Sequence, residues 1–197
     1  MKYRSLKAIV QPADLPVTLA ELKAHARIDH TDEDAYLLSL LELATDYAKD
    51  RTRRSFIGCR YEMKLDVFPA WHIMLPRPPM APTGLVEITY TNENSQTVTV
   101  PSHTYRVDRD SVPGRLFPLY NGSWPTGLLD EEGAVTVRWD AGYGDAAAVP
   151  RKAKHLILMY ANHWYMNREP AGSGALQTIP LGAEALAAHL SWGQYDG

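Results

Sequence analysis

Gly142-Tyr143-Gly144 is the first place in this chain to look for chemistry. It follows an alternating apolar run and precedes a helical one, the setting in which a glycine-rich loop cradles phosphate. Only two glycines are present, with no third at the dinucleotide spacing and no Gly-Lys-Ser/Thr after them, so the pattern is weak. The next helix opens with Pro150, which has no N–H to offer an anion. A tight strand-to-helix connection is the plainer reading, and an enzyme that uses Gly142–Gly144 for a phosphorylated ligand is the alternative.

Other reactive residue types are dispersed. His155 and His163 stand eight positions apart, whereas helical metal pairs sit three or four apart, so these two do not chelate one ion. His25, His30, His72, His103 and His189 fall in different zones. The single cysteine, Cys59, excludes an intrachain disulfide and a multi-cysteine zinc site. It lies on the apolar side of an alternating run, where a thiol is expected to be inert. No serine has the context of a nucleophile elbow. The acidic group Asp29, Asp32, Glu33 and Asp34 and the basic group Arg51, Arg53 and Arg54 bracket one helix, as the helix dipole favours. The arginines also suit phosphate, and both readings can hold at once. No catalytic residue, cofactor or metal ligand is expected.

The elements that hold these residues form three zones. Helices are expected at about 18–28, 32–54, 150–168 and 181–190, and strands within about 59–140. Thr18 and Glu21 make a capping-box pattern, and Thr31 or Asp32 caps the second helix. In that helix Leu37, Leu40, Leu41, Ala44 and Ala48 form one face, which Tyr36, Leu43 and Tyr47 widen on one side and Leu38 on the other. The third helix, from Pro150, has a stripe of Ala153, Leu156, Ile157, Tyr160, Ala161 and Trp164, with Leu158, Met159 and Tyr165 off it. A one-sided surface helix needs a stripe of about 100°, so both helices carry apolar surface beyond one core. Ala171-Gly172-Ser173-Gly174 reads as a flexible linker, followed by Leu181, Ala185, Leu186 and Leu190 at helical spacing and by Trp192 and Tyr195.

In the middle zone Cys59, Tyr61, Met63, Leu65 and Val67 alternate with charged residues, the period of a half-buried strand. Val86, Ile88 and Tyr90, a polar turn at Asn92–Ser95, then Val98 and Val100 read as a hairpin, and Val135, Val137 and Trp139 as a later strand. The fold class expected is α+β: a small helical bundle, 1–58 with 141–170, carrying a β-rich insertion, 59–140, and ending in a docking segment, 171–197. The 197 residues are 45% hydrophobic and 22% charged, which excludes wholesale disorder and a fibrous repeat. A formal charge of −3 argues against a nucleic-acid binder held by overall charge. Met1–Val10 lacks the apolar core of a signal peptide, and no run reaches the roughly 20 apolar residues of a membrane span, so synthesis in a reducing cytosol and no membrane partner are expected.

Several of these pieces, in this order, resemble one family. Val17 to Ala48, which opens VTLAELKAHARIDHTDEDAYLLSLLELA, is followed by Leu65-Asp66-Val67-Phe68-Pro69, Leu75-Pro76-Arg77-Pro78-Pro79, Ala141-Gly142-Tyr143-Gly144-Asp145, Val149-Pro150, His163-Trp164-Tyr165 with Asn167-Arg168-Glu169, and Ile179-Pro180-Leu181-Gly182. Together they resemble the phage head–tail connector family (adaptor or head-completion proteins of long-tailed phages), in the variant with a β-rich insertion. Met166 departs from the polar residue expected there. The resemblance implies a virion structural protein without catalytic residues. It implies a homo-oligomeric ring of about twelve under the portal, assembled in the host cytoplasm. The ring would extend the DNA channel and touch DNA transiently and without sequence preference. Its partners would be the portal protein and the next neck or tail protein, a head-closure (stopper) protein or tail terminator. On this reading Tyr36, Leu43, Tyr47, Leu158, Met159 and Tyr165 meet neighbouring subunits, Leu181, Leu186, Leu190, Trp192 and Tyr195 dock on the portal, and Arg51, Arg53 and Arg54 line the channel. A β-rich receptor- or carbohydrate-binding tail module is a further alternative.

Overall fold

In the computed structural model the described residues are 3–129, 132–168 and 180–192. The chain separates into two units, one of Met1–Pro12 with Gly58–Gly144 and one of Ala13–Ile57 with Asp145–Gly197.

The first unit holds eight strands among the described residues: β1 (Ser5–Val10), β2 (Cys59–Leu65), β3 (Ile73–Leu75), β4 (Val86–Thr91), β5 (Thr97–Thr99), β6 (Tyr105–Asp108), β7 (Gly114–Pro118) and β8 (Val135–Ala141). They form an antiparallel five-stranded sheet in the order β1-β2-β8-β4-β5 and a three-stranded sheet in the order β3-β7-β6. Alternation decides which residues are inside. Met63, Val137 and Ile88 are in register and buried, as are Tyr61 and Trp139, whose rings stack at 5.7 Å. Ile73 and Leu116 of the smaller sheet enter the same core.

The opposite face of the large sheet carries a row of alternating charge, Lys7, Glu62, Arg138 and Glu87. Arg138 bonds Glu62 at 2.8 Å and Glu87 at 3.2 Å, and Arg60 bonds Asp140 at 2.7 Å. Half-exposed pairs such as these stabilise little individually. A slip by one residue, however, would turn the whole charged row into the core, so the row and the buried row specify the register together. Gly114 has a separate necessity: a Cβ there would lie 3.0 Å from Met80 Sδ and 3.3 Å from the Asp108 carbonyl oxygen.

Several local expectations change. Val67 does not continue the inward series, because β2 ends at Leu65 and Val67 is 67% exposed. There Asp66 turns away to bond Arg4 and the Gly133 N–H. Strands β1, β3, β6 and β7 were not anticipated. They are short or flanked by proline, and β1 is an edge strand whose last four residues are exposed.

The second unit holds α1 (Leu19–Ala26), α2 (Asp34–Thr52), α3 (Arg151–Met166) and α4 (Leu181–Leu190). The Thr18 capping box forms, with the Glu21 N–H donating to Thr18 Oγ1 and the Thr18 N–H to the Glu21 carboxylate. Helix α2 is not capped by Thr31 or Asp32. Its N-cap is Glu33, which makes no capping bond because its carboxylate is engaged by Tyr165 and Arg168. Pro150 precedes α3 as its N-cap, and that helix stops at Met166, two residues short of the expected Arg168. The bundle core is Leu22 of α1, Leu37, Leu40, Leu41, Ala44 and Ala48 of α2, and Ala153, Leu156, Ile157, Tyr160 and Ala161 of α3. Thr45 and Thr52 are buried on α2 at little cost, since each hydroxyl donates to the carbonyl four residues back.

Trp139→Ala empties the centre of the large sheet and is expected to destabilise the protein by about 3–5 kcal/mol. Chemical denaturation followed by tryptophan fluorescence and circular dichroism measures it.

Candidate assembly surfaces

Of the side chains expected to face neighbours, several are occupied within the helical unit. Tyr47 packs edge-on against Tyr160 at 4.9 Å and Trp164 at 5.5 Å. Tyr165 donates its hydroxyl to Glu33 at 2.7 Å, while the Arg168 guanidinium lies over both Tyr165 and Tyr36, 4.7 and 4.9 Å from their ring centres. Arg168 also forms an ion pair with Glu33 at 2.7 Å. Leu158 and Met159 are half-buried. The wide apolar arcs of α2 and α3 thus arise partly because these helices meet through an aromatic seam. Leu43, 55% exposed, and Tyr36, 37% exposed, remain on the surface, as does Leu38.

The three arginines near the end of α2 do not act alike. Arg51 makes two bonds to Glu184 of α4, at 2.9 and 2.6 Å. Arg54 donates to the Leu190 carbonyl. Arg53 takes the left-handed cap position at φ 56°, its carbonyl accepts the Trp192 indole N–H, and its side chain is exposed with no ion pair among the described residues. Asp46 pairs with Lys49 rather than with an arginine. Sequence proximity grouped the arginines; the fold uses two of them to hold α4.

That attachment holds the last helix to its own unit. Helix α4 rests on α2 and α3, and its buried residues are Ala183 and Ala187 rather than leucines. Leu186, Leu190 and Trp192 are half-buried, while Leu181 is 87% exposed. The small-residue pair at i, i+4 was the available signal, and the leucine spacing masked it. Tyr195 and the linker Gly172-Ser173-Gly174 lie outside the described residues.

The bonds at the glycine loop are those of a tight connection. The Gly142 N–H donates to the Pro79 carbonyl at 2.8 Å, and the Gly144 carbonyl accepts from Gly58 at 2.8 Å. The glycines are required by backbone angles of φ 109° and 106°, the tight-connection role. Cys59 is buried. No group of three or more metal-binding side chains occurs among the described residues. His25 and His155 meet edge-to-face at 5.7 Å, and burial, reinforced by the neighbouring ring, pushes His25 below the usual histidine range.

Residues 16–99, spanning α1, α2 and strands β2 to β5, match the family described as phage gp6-like head-tail connector protein. Over that part the chain is similar to the phage head–tail connector family. The chain's fold recurs in solved structures across nearly its whole length. A chain in the neck of an empty gene transfer agent (GTA) particle, computed with C6 symmetry, superimposes with a TM-score of 0.77 at 23% identity, covering 95% of each chain. A chain in the virion of a native GTA particle gives 0.76 at 22% identity, covering 94% of each. A chain in the neck of a native GTA particle, computed with C12 symmetry, gives 0.75 at 22% identity, covering 95% of this chain and 94% of that chain. No curated protein matches the sequence. The α+β architecture, a helical bundle with a β-rich insertion, is therefore a recurring one.

The Glu33 cluster has a pH signature. The Arg168 guanidinium, then the Tyr165 hydroxyl, hold the Glu33 carboxyl at about 2, against an ordinary value of 4.5. A folded-state pKa below the unfolded one adds stability above about pH 4.5 that is lost as pH falls toward 2. Glu33→Gln should lower the melting temperature at neutral pH and flatten its decline across that window. Calorimetry of both proteins from neutral pH to pH 2 checks this.

Proposed function

We propose that this chain is a structural subunit of the phage neck, forming a closed ring of about twelve copies beneath the portal that joins head to tail and continues the DNA channel. The observation that carries the reading is the family match over residues 16–99. The shared fold with chains of GTA necks computed with C6 and C12 symmetry supports a ring in that position. Its proposed partners are further copies of itself, the portal protein on one side and the next neck or tail protein on the other.

Within this reading the surfaces are narrower than the sequence suggested. Subunit contacts are proposed at the exposed side of α2, around Leu43 and Tyr36, with Tyr47, Leu158, Met159 and Tyr165 supporting it from within. The DNA channel role falls chiefly to Arg53, because Arg51 and Arg54 are engaged with α4. Contacts to sliding DNA would be to phosphate and independent of sequence. Portal docking is proposed for the outer side of α4, led by Leu181, with Leu186, Leu190, Trp192 and Tyr195 as its continuation. No step of this role asks for catalysis by any of these residues.

Removing the connector from an assembling phage should yield portal-bearing heads and separate tails, seen by electron microscopy; intact tailed virions would overturn the reading. For portal docking, Leu181→Asp with Ala185→Asp alters two exposed positions of α4. The double variant should melt like the parent yet fail to co-sediment with portal-bearing heads. Normal co-sedimentation would remove α4 from the portal contact.

A further inference from the structure

Two groups of charges in the helical unit sit where helix electrostatics disfavours them. The exposed side of α2 carries the row Ala35, Ser39, Glu42, Asp46 and Asp50, flanked by exposed Leu38 and Leu43. Like charges four apart repel, and Asp46 and Asp50 lie toward the negative end of the helix dipole. Lys49 offsets part of this through its 3.0 Å pair with Asp46. Glu42 has no ion pair among the described residues. Helix α3 shows the reverse: its first turn contains no acidic residue but has Arg151 and Lys152, both exposed, at the positive end of the dipole. Neither forms an ion pair among the described residues. Lys152 lies 3.5 Å from His189 of α4, and Arg54 reaches Leu190 beside it, which brings a further cation to this end of the unit.

The two groups cannot neutralise one another within one subunit. Helices α2 and α3 pack through Leu37, Leu40, Leu41, Ala44 and Ala48 on one side and Ala153, Leu156, Ile157, Tyr160 and Ala161 on the other. At 100° per residue, Glu42 and Asp46 point away from α3, and Arg151 points away from α2. One outer side of the pair is acidic and leucine-bearing, and the other is basic. Two different, complementary faces on opposite sides of one body are what a heterologous head-to-tail contact requires, and such contacts close into rings.

We propose that the acidic outer face of α2, with Leu43 and Leu38 as its apolar anchors, docks on the basic N-terminal face of α3 of a second copy of this chain. The contact rests on the ring reading above and specifies its two surfaces. Opposite charges set the register and hasten encounter, and the leucines become buried. Glu42 and Arg151 then gain counter-charge across the contact. The association weakens as added salt screens the rim.

Charge reversal tests it on the full-length protein, with self-association followed by sedimentation velocity over a concentration series. Glu42→Lys with Asp46→Lys makes one face basic, and Arg151→Glu with Lys152→Glu makes the other acidic. Each double variant alone should keep the parent melting temperature and self-associate at least about tenfold more weakly. An equimolar mixture of the two should assemble, because every junction can then pair opposite faces, and so should the quadruple variant. Parent-like association of either double variant, or failure of both the mixture and the quadruple variant while the parent assembles, overturns this contact and leaves the ring reading standing. A parent chain that stays monomeric at every concentration and salt overturns the ring reading and the contact together. Glu42→Cys with Arg151→Cys gives a second readout: oxidation should produce a covalent ladder beyond dimers, and a dimer limit counts against head-to-tail docking.

Discussion

The pairing of β2 with β8 is the constraint on which the rest of the structure depends. These strands run antiparallel in unbroken register from Cys59 opposite Ala141 to Leu65 opposite Val135. They are also the first and last strands of the insertion between the two helical halves. Their pairing therefore brings the insertion's beginning and end together, and the bond from the Gly58 N–H to the Gly144 carbonyl closes that base. The next residues on either side, Ile57 and Asp145, belong to the helical unit. A long loop without such a clamp would impose a closure entropy on the bundle. With it, Ala13–Ile57 and Asp145–Gly197 can form one unit although they are distant in sequence.

Within each unit, polar residues do as much as apolar ones to select the arrangement. Arg138 reaches Glu62 and Glu87 on its two neighbouring strands, so the order β2-β8-β4 is written in charge as well as in burial. In the helical unit Glu33 ties the start of α2 to the end of α3 through Tyr165 and Arg168, and Glu184 ties α4 to α2 through Arg51. The Tyr160 hydroxyl, 3.4 Å from Glu184, is pushed up from the ordinary tyrosine range mainly by burial and then by that carboxylate, which keeps it a neutral donor. These carboxylates bridge elements of the fold.

Much of the fold was legible before any coordinates. Alternation placed β2, β4 and β8, and the 3.6-residue period with the Thr18 box placed the four helices to within a few residues. What was not legible follows from short range. Three-residue strands such as β3 have too few residues for a period, and β1 is exposed over most of its length, so neither declares itself by hydrophobicity. Of the candidate surface residues, Leu43 was recognised by its position off the stripe, whereas Tyr47 and Tyr165 looked identical to it in pattern. Only the crossing of α2 and α3 distinguishes an aromatic that completes a seam from a leucine that faces solvent.

By itself the sequence determined which faces of which elements could be buried, because side-chain period is a property of the local backbone, and it carried the ordered motifs that resemble one family. The tertiary structure alone decided partnership: that Arg51 meets Glu184, that Arg168 covers two tyrosine rings, that α4 lies on its own bundle through Ala183 and Ala187, and that Glu42 and Arg151 end on opposite outer sides. Each of these joins residues far apart in the chain. Such contacts form only when separate elements pack, and packing depends on the shape of the whole interface, which no local window of sequence contains.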